Sequence, residues 1–233
     1  MKRILTFMLI VSAFTNLTLA QSYKEKVNNY IRKYHHIALE NQTRYNIPAC
    51  ITLAQGILES NAGYGMLADS ANNHFGIKCK DQWLGKVYYK EDDDLDTLGN
   101  LILSCFRKYD TPEESFADHS LFLNTNPRYA RLFSYDKKDY KAWATGLKDC
   151  GYATAPHYAK TLIDLIERFN LNVFDEMDTS TENSYELYLT FNFINSQKAT
   201  SSDNTELTSV KLPDYYQGTY GLQNNTAAIA PPN

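Results

Sequence analysis

The stretch IPACITLAQGILES, Ile47 to Ser60, decides the reading of this chain. Pro48 suits the first turn of a helix, and Asn61-Ala62-Gly63 supplies a stop. On a helical wheel with Thr52 at 0° and about 100° per residue, Gln55 falls at about 300°, Glu59 at about 340° and Gly56 at about 40°. Ile51, Leu53, Ala54, Ile57 and Leu58 fill the rest. A helix that is apolar nearly all round is buried on most sides, so its narrow polar strip is expected to face a cleft or a polar network. A carboxylate there is partly desolvated, which favours its neutral, protonated form. Gly56 is expected to leave open space beside Glu59. The same wheel also fits a buried glutamate that only satisfies backbone donors.

Working outward, Val27, Tyr30, Ile31, Tyr34, Ile37 and Ala38 recur at helical spacing and predict a helix over 23–44. From Phe75 to Tyr109 the pattern changes to two short strand-like runs around an acidic stretch and a glycine, a hairpin-like lobe inserted in a helical protein. Thr111-Pro112-Glu113-Glu114 is a helix start, with Thr111 as cap and Glu114 completing a capping box. A further helix covers about 138–149 with Gly151 just past it, and Pro156 opens one more. The fold class is therefore α+β, mostly helical.

The ends read differently. Residues 1–20 carry Lys2 and Arg3, an apolar run from Ile4 to Phe14 and a small-residue site before Gln21, the pattern of an export signal. The run is too short for a comfortable membrane span, and no cysteine follows it for lipid attachment, so no stable membrane anchor is expected. Export would end in the periplasm, at the cell surface or in the medium. Without those residues Lys and Arg fall from 23 to 21 against 27 Asp and Glu, a balance of −6 that argues against a nucleic-acid partner. From Asp178 to Asn233, 21 of 56 residues are Ser, Thr or Asn and two are basic, which predicts a mostly disordered tail. YELYLTFNF within it could form a strand, but no partner strand follows. The folded domain is placed at 21–177.

Cys50, Cys79, Cys105 and Cys150 are an even set in a chain read as exported, which favours disulfides. Cys79–Cys105 is preferred because both flank the strand-rich insertion, leaving Cys50–Cys150. Neither CxxC nor HExxH occurs, and the acidic run lacks DxDxDG spacing, so no metal or other cofactor is expected.

Five stretches carry a resemblance: IPACITLAQGILES, ANNHFGIKC (71–79), YDTPEESFADHSLFL (109–123), NPRYARLF (126–133) and GYATAPHYAKTLI (151–163). In this order they resemble the glucosaminidase domain of glycoside hydrolase family 73, which also includes the glucosaminidase half of flagellar peptidoglycan hydrolases. The resemblance runs from about Tyr23 to Phe174. It implies a lysozyme-like fold with a small β-lobe across a sugar-binding groove, and hydrolysis of the β-1,4 bond after N-acetylglucosamine in peptidoglycan. It implies that Glu59 is the general acid, that Tyr152 lies near the scissile bond, and that Asn73 and Phe75 shape the groove floor. Gln55 and Tyr109 complete the candidate substrate-binding set.

A second catalytic carboxylate is sought in Glu91-Asp92-Asp93-Asp94, where alternation puts Asp92 and Asp94 on one strand face. A substrate-assisted route through the sugar acetamido group is the alternative. A lytic transglycosylase, or a wall-binding module without catalysis, would fit the same stretches.

Overall fold

The computed structural model describes residues 2–80, 83–95, 99 and 101–200, with side chains from Tyr23 onward except at 93–95, 101 and 198–200. Helix α1 (Lys2–Tyr45) leads into α2 (Ala49–Glu59) and the short α3 (Met66–Ala71). Strands β1 (Val87–Leu95) and β2 (Leu101–Arg107) follow, then α4 (Pro112–Thr125) and a 3-10 helix at Pro127–Ser134. Helices α5 (Tyr140–Asp149) and α6 (Tyr158–Phe169), a 3-10 helix at Leu171–Glu176 and α7 (Ser184–Thr200) complete the described order. Among the described residues, no helix is long and apolar enough to cross a membrane.

The core is built around α2, which packs against α1, α5, α6 and the Leu171–Glu176 turn. Nine of its eleven residues are buried, from Ala49 through Ile57, as its apolar wheel requires. Pro48 offers no side-chain cap, so the free N–H groups of the first turn find acceptors elsewhere. Gln42 Oε1 accepts from Ala49 N at 2.9 Å, and Asp175 Oδ1 accepts from Cys50 N at 2.9 Å. Burial pushes the Asp175 carboxyl up to about 7.

The wheel's polar strip does not share one cleft. Thr52 and Gln55 are fully buried, and Gly56 faces α1. A Cβ on Gly56 would lie 2.4 Å from the Tyr30 hydroxyl, so this glycine permits helix–helix approach and leaves no open space beside Glu59. Tyr30 is held there, with its hydroxyl 3.1 Å from His74 Nδ1.

The inserted lobe is one antiparallel hairpin, with Val87 opposite Arg107 and Lys90 opposite Ser104. The Cys79–Cys105 disulfide forms as expected, with Cα atoms 5.3 Å apart. The second expected bridge does not: Cys50 and Cys150 are both free and buried. Cys50 sits in the first turn of α2 beside Asp175, whereas Cys150 ends α5 near Arg131, so each thiol has other neighbours.

Thr111 caps α4 with Pro112 in the first turn. Glu114 reaches one residue beyond the expected capping box and accepts from Asp110 N at 2.9 Å.

The segment after Asp178 also departs from expectation. Among the described residues the first compact unit extends through Tyr188, and YELYLTFNF is helical within α7. Tyr188 stacks on Phe174 with centroids 4.8 Å apart and donates to Phe169 O at 2.7 Å. Tyr185 and Tyr188, one helical turn apart, supply the apolar anchor that the polar composition hides. A second unit starts at Leu189, whose described part is the remainder of α7. Residues 201–233 lie outside the described residues.

The Gly56–Tyr30 contact gives a direct test. Gly56→Ala is expected to lower stability by about 1–3 kcal/mol through overpacking. Adding Tyr30→Phe should recover part of that loss, since the nearest clashing atom is the hydroxyl. Urea titration of the four chains of this double-mutant cycle measures both terms; strict additivity would refute the contact.

Candidate active site

Both residues expected at the reaction centre sit at helix ends. Glu59 is the last residue of α2. Beyond it Asn61, Ala62 and Gly63 all take left-handed φ, at 50°, 53° and 84°. Ala62 N donates back to Ile57 O at 2.8 Å, closing a Schellman-type end, and Ser60 Oγ donates to Gly56 O.

Helix α5 ends the same way: Gly151 has φ 71°, Gly151 N donates to Lys148 O at 2.9 Å, and Tyr152 N donates to Leu147 O at 3.0 Å. The chain reversal turns Tyr152 into the groove. Lys148 Nζ then donates to Ala153 O at 3.0 Å and Thr154 O at 2.8 Å, pinning the groove-lining loop to its own helix.

The groove has a volume of about 580 Å³. Glu59, Tyr129, Tyr152 and the 153–155 loop lie on the helical side; Lys78, Lys80, Lys90, Asp92, Phe106 and Arg107 lie on the hairpin side. Glu59 is an exposed residue that lines this groove, just beyond the buried body of α2. Partial desolvation against the groove wall pushes its carboxyl up to about 7, while hydrogen bonding with the Tyr158 hydroxyl opposes the shift. The C-terminal end of a helix dipole disfavours the anion too.

Tyr158, the first residue of α6, was not foreseen from the sequence, although it lies in the stretch quoted for Tyr152. It accepts from Gln55 Nε2 at 3.0 Å and stacks on Tyr152 with centroids 5.7 Å apart. Gln55 thus reaches the site through Tyr158: it is fully buried and not part of the groove lining. Burial raises the Tyr152 phenol well above its ordinary value, with the Tyr158 and Glu59 charges adding to it.

The other expected residues divide. Phe75 lines the groove and is also core, lying parallel to His119 at 3.9 Å between centroids. His119 is a further unforeseen residue, fully buried between Phe75 and Tyr152, and burial lowers its pKa to about 3.

Asn73 is buried and does not line the groove. Its amide donates to Ile77 O at 3.0 Å and Arg107 O at 2.8 Å, and its carbonyl accepts from Ile77 N at 3.0 Å. Those bonds fix the turn against β2 and occupy the amide that a sugar would need. Tyr109 is also buried and outside the lining; its hydroxyl donates to Asp118 at 2.5 Å, and Asp118 takes Arg107 Nη1 at 2.8 and 2.9 Å. Tyr109 therefore acts on the groove through Arg107. Asp92 lines the groove from β1 and pairs with Lys78 Nζ at 2.9 Å. The side chain of Asp94 lies outside the described residues.

A mostly helical domain with a two-stranded hairpin walling a groove, and one carboxyl at a helix end inside it, has the architecture of the lysozyme-like class. The family model described as Glucosaminidase, mannosyl-glycoprotein endo-beta-N-acetylglucosaminidase, matches residues 35–171, and the chain belongs to this family. It is 35% identical over 147 residues to exo-glucosaminidase LytG of Bacillus subtilis, covering 59% of this chain and 49% of LytG. It is 32% identical over 127 residues to peptidoglycan hydrolase FlgJ of Escherichia coli K12, covering 52% of this chain and 40% of FlgJ. The chain thus spans half or less of the length of these relatives. The catalytic domain of the autolysin Auto from Listeria monocytogenes superposes with a TM-score of 0.54 at 27% identity, covering 64% of this chain and 87% of that one. The resemblance to family 73 and the lysozyme-like fold read from the sequence are both borne out.

The Tyr158–Glu59 contact is testable without any substrate. Carboxyl ¹³C NMR should show Glu59 titrating near 7, and Tyr158→Phe should raise that value further. The sign also fixes a stability effect. A carboxyl raised above its unfolded value of 4.5 favours folding at low pH, and loses that contribution as pH rises toward 7. The stability of Glu59→Gln relative to wild type should therefore increase from pH 4.5 to 7 and level off above it; a flat difference in thermal scans would contradict the shifted carboxyl.

Proposed function

We propose that this protein is an exported peptidoglycan hydrolase that cleaves the β-1,4 bond after N-acetylglucosamine in glycan strands, with Glu59 as general acid. One observation carries the reading: a carboxyl at the end of a buried helix lines the groove, where partial desolvation raises its proton affinity. A glycosidase needs a protonated acid at that point to protonate the leaving-group oxygen.

In this reading the strand lies between the helical side and the hairpin, and Glu59 gives its proton to the glycosidic oxygen as the bond breaks. Tyr152, beside Glu59 and stacked on Tyr158, orients the N-acetyl group or the attacking water. Positive charge then develops at the anomeric carbon. In this reading Asp92, which lines the groove from β1, opposes it, unless the substrate's acetamido oxygen does so. Export is supported by the basic and apolar pattern of residues 1–20 and by the Cys79–Cys105 disulfide, which suits an oxidising compartment.

Digestion of purified peptidoglycan with mass spectrometry of the new ends tests the proposal. Wild type should yield reducing N-acetylglucosamine ends, and Glu59→Gln should lower the rate by roughly 10²–10⁴ while keeping the fold. The rate should fall as pH rises through about 7, where Glu59 loses its proton. Anhydro-muramic ends would assign a lytic transglycosylase instead, and a folded Glu59→Gln enzyme with near-normal turnover would remove Glu59 from the chemistry.

A further inference from the structure

The two sides of the groove differ in charge. The helical side offers Glu59, two tyrosines and the small residues Ala153, Thr154 and Ala155. The hairpin side offers four cations, Lys78, Lys80, Lys90 and Arg107, against one described carboxylate, Asp92. Composition does not explain this, because the chain as a whole carries 27 acidic residues against 23 basic ones.

Two of the four cations are engaged within the protein. Lys78 pairs with Asp92 at 2.9 Å, and Arg107 pairs with Asp118 at 2.8 Å. Among the described residues Lys80 and Lys90 make no ion pair.

Both lysines are also held in place. Lys80 follows Cys79, whose N–H donates to Cys105 O at 2.8 Å and whose sulfur is bonded to Cys105. Lys90 sits opposite Ser104, the residue before Cys105. It lies on the same strand face as Asp92, so both project toward the groove. Two cations on one braced wall are a preorganised feature, which lowers the ordering cost of binding an anion.

We propose that this wall is a cationic subsite for carboxylates carried on the glycan, so that the groove selects a carboxylate-bearing strand over a neutral N-acetylglucosamine polymer. The proposal rests on the reading of the groove as the glycan site. Two sources supply the same chemistry: the acid groups of an attached stem peptide, and the lactyl carboxylate exposed when the peptide is removed.

Binding measured in the Glu59→Gln protein tests it, since no turnover is then needed. Three size-matched ligands are compared by isothermal titration: strands with stem peptides, strands stripped by an amidase, and stripped strands whose carboxyls are converted to methylamides. At about 0.1 M salt at least one carboxylate strand should bind about fivefold more tightly than the methylamide strand. Which one does so identifies the source. The preference should shrink toward 1 M salt, where the screening length falls from about 10 Å to about 3 Å.

Adding Lys80→Gln and Lys90→Gln should bring the three affinities together, and Lys80→Glu with Lys90→Glu should reverse their order. Matching thermal melts confirm that these chains fold. Equal binding of all three strands before the lysines are changed, or a preference that survives their change, overturns the subsite. Because cleavage is not read, failure of Glu59 as the acid and failure of the lysine wall give different results.

Discussion

The site depends on one constraint, which is that α2 is buried nearly all round yet ends in a groove. Its first turn is fastened by Gln42 and Asp175, its middle fits Tyr30 of α1 against Gly56, and Gln55 ties it to Tyr158 of α6. A helix held at its start and on two flanks can neither slide nor turn. The position of Glu59 is then fixed without any ligand. The packing that fixes the end of α2 also strips part of the hydration from the carboxyl, which raises its proton affinity. Breaking either flank would loosen both.

Helix ends do the aiming. Glu59 and Tyr152 each stand at a C-terminus closed by a left-handed turn with bonds back to carbonyls one turn earlier. Such an end satisfies backbone groups that a buried terminus would otherwise leave bare, and it reverses the chain within two or three residues. For Tyr152 the reversal is what directs the ring into the groove. The cost is local: Ala62 holds φ 53°, a conformation that glycine or asparagine adopts more easily.

Much of this was legible in the sequence because it is local. The burial of α2 follows from its wheel, the α4 start from Thr111-Pro112, the stop after α5 from Gly151, and the hairpin with its disulfide from the strand-like runs between two cysteines. The misreadings are tertiary. Gly56 could be seen as special, but its partner Tyr30 lies on another helix, and the wheel gives no partner. Asn73 and Tyr109 fall inside stretches that resemble the family, yet their polar atoms serve Ile77, Arg107 and Asp118. Cys50 and Cys150 were paired by elimination, an argument blind to direction. Tyr158 was hidden because its role exists only once α6 packs on α2. The helix at 184–200 was obscured by its polar composition, while two tyrosines three residues apart were enough to dock its first turn.

The hairpin raises a different physical problem. Two strands alone are marginal in water, so this lobe must borrow rigidity if it is to hold a groove open. It does so through three fasteners that converge near β2. The disulfide joins Cys105 to the segment before β1, Asn73 bridges the α3 exit to Arg107 O, and Arg107 itself is clamped by Asp118 of α4. Arg107 also lies 4.6 Å from the Trp83 ring centre, which covers the guanidinium from another side. Asp92 and Lys90 stand on β1, braced in this way, and Lys80 follows the bridged Cys79, so their placement along the groove is inherited from the fasteners and not from the hairpin's own ladder. A disulfide is a reasonable solution only where thiols oxidise. The geometry of the groove is in that sense tied to the compartment in which the chain folds, and the helical side, with both of its cysteines buried and free, is not.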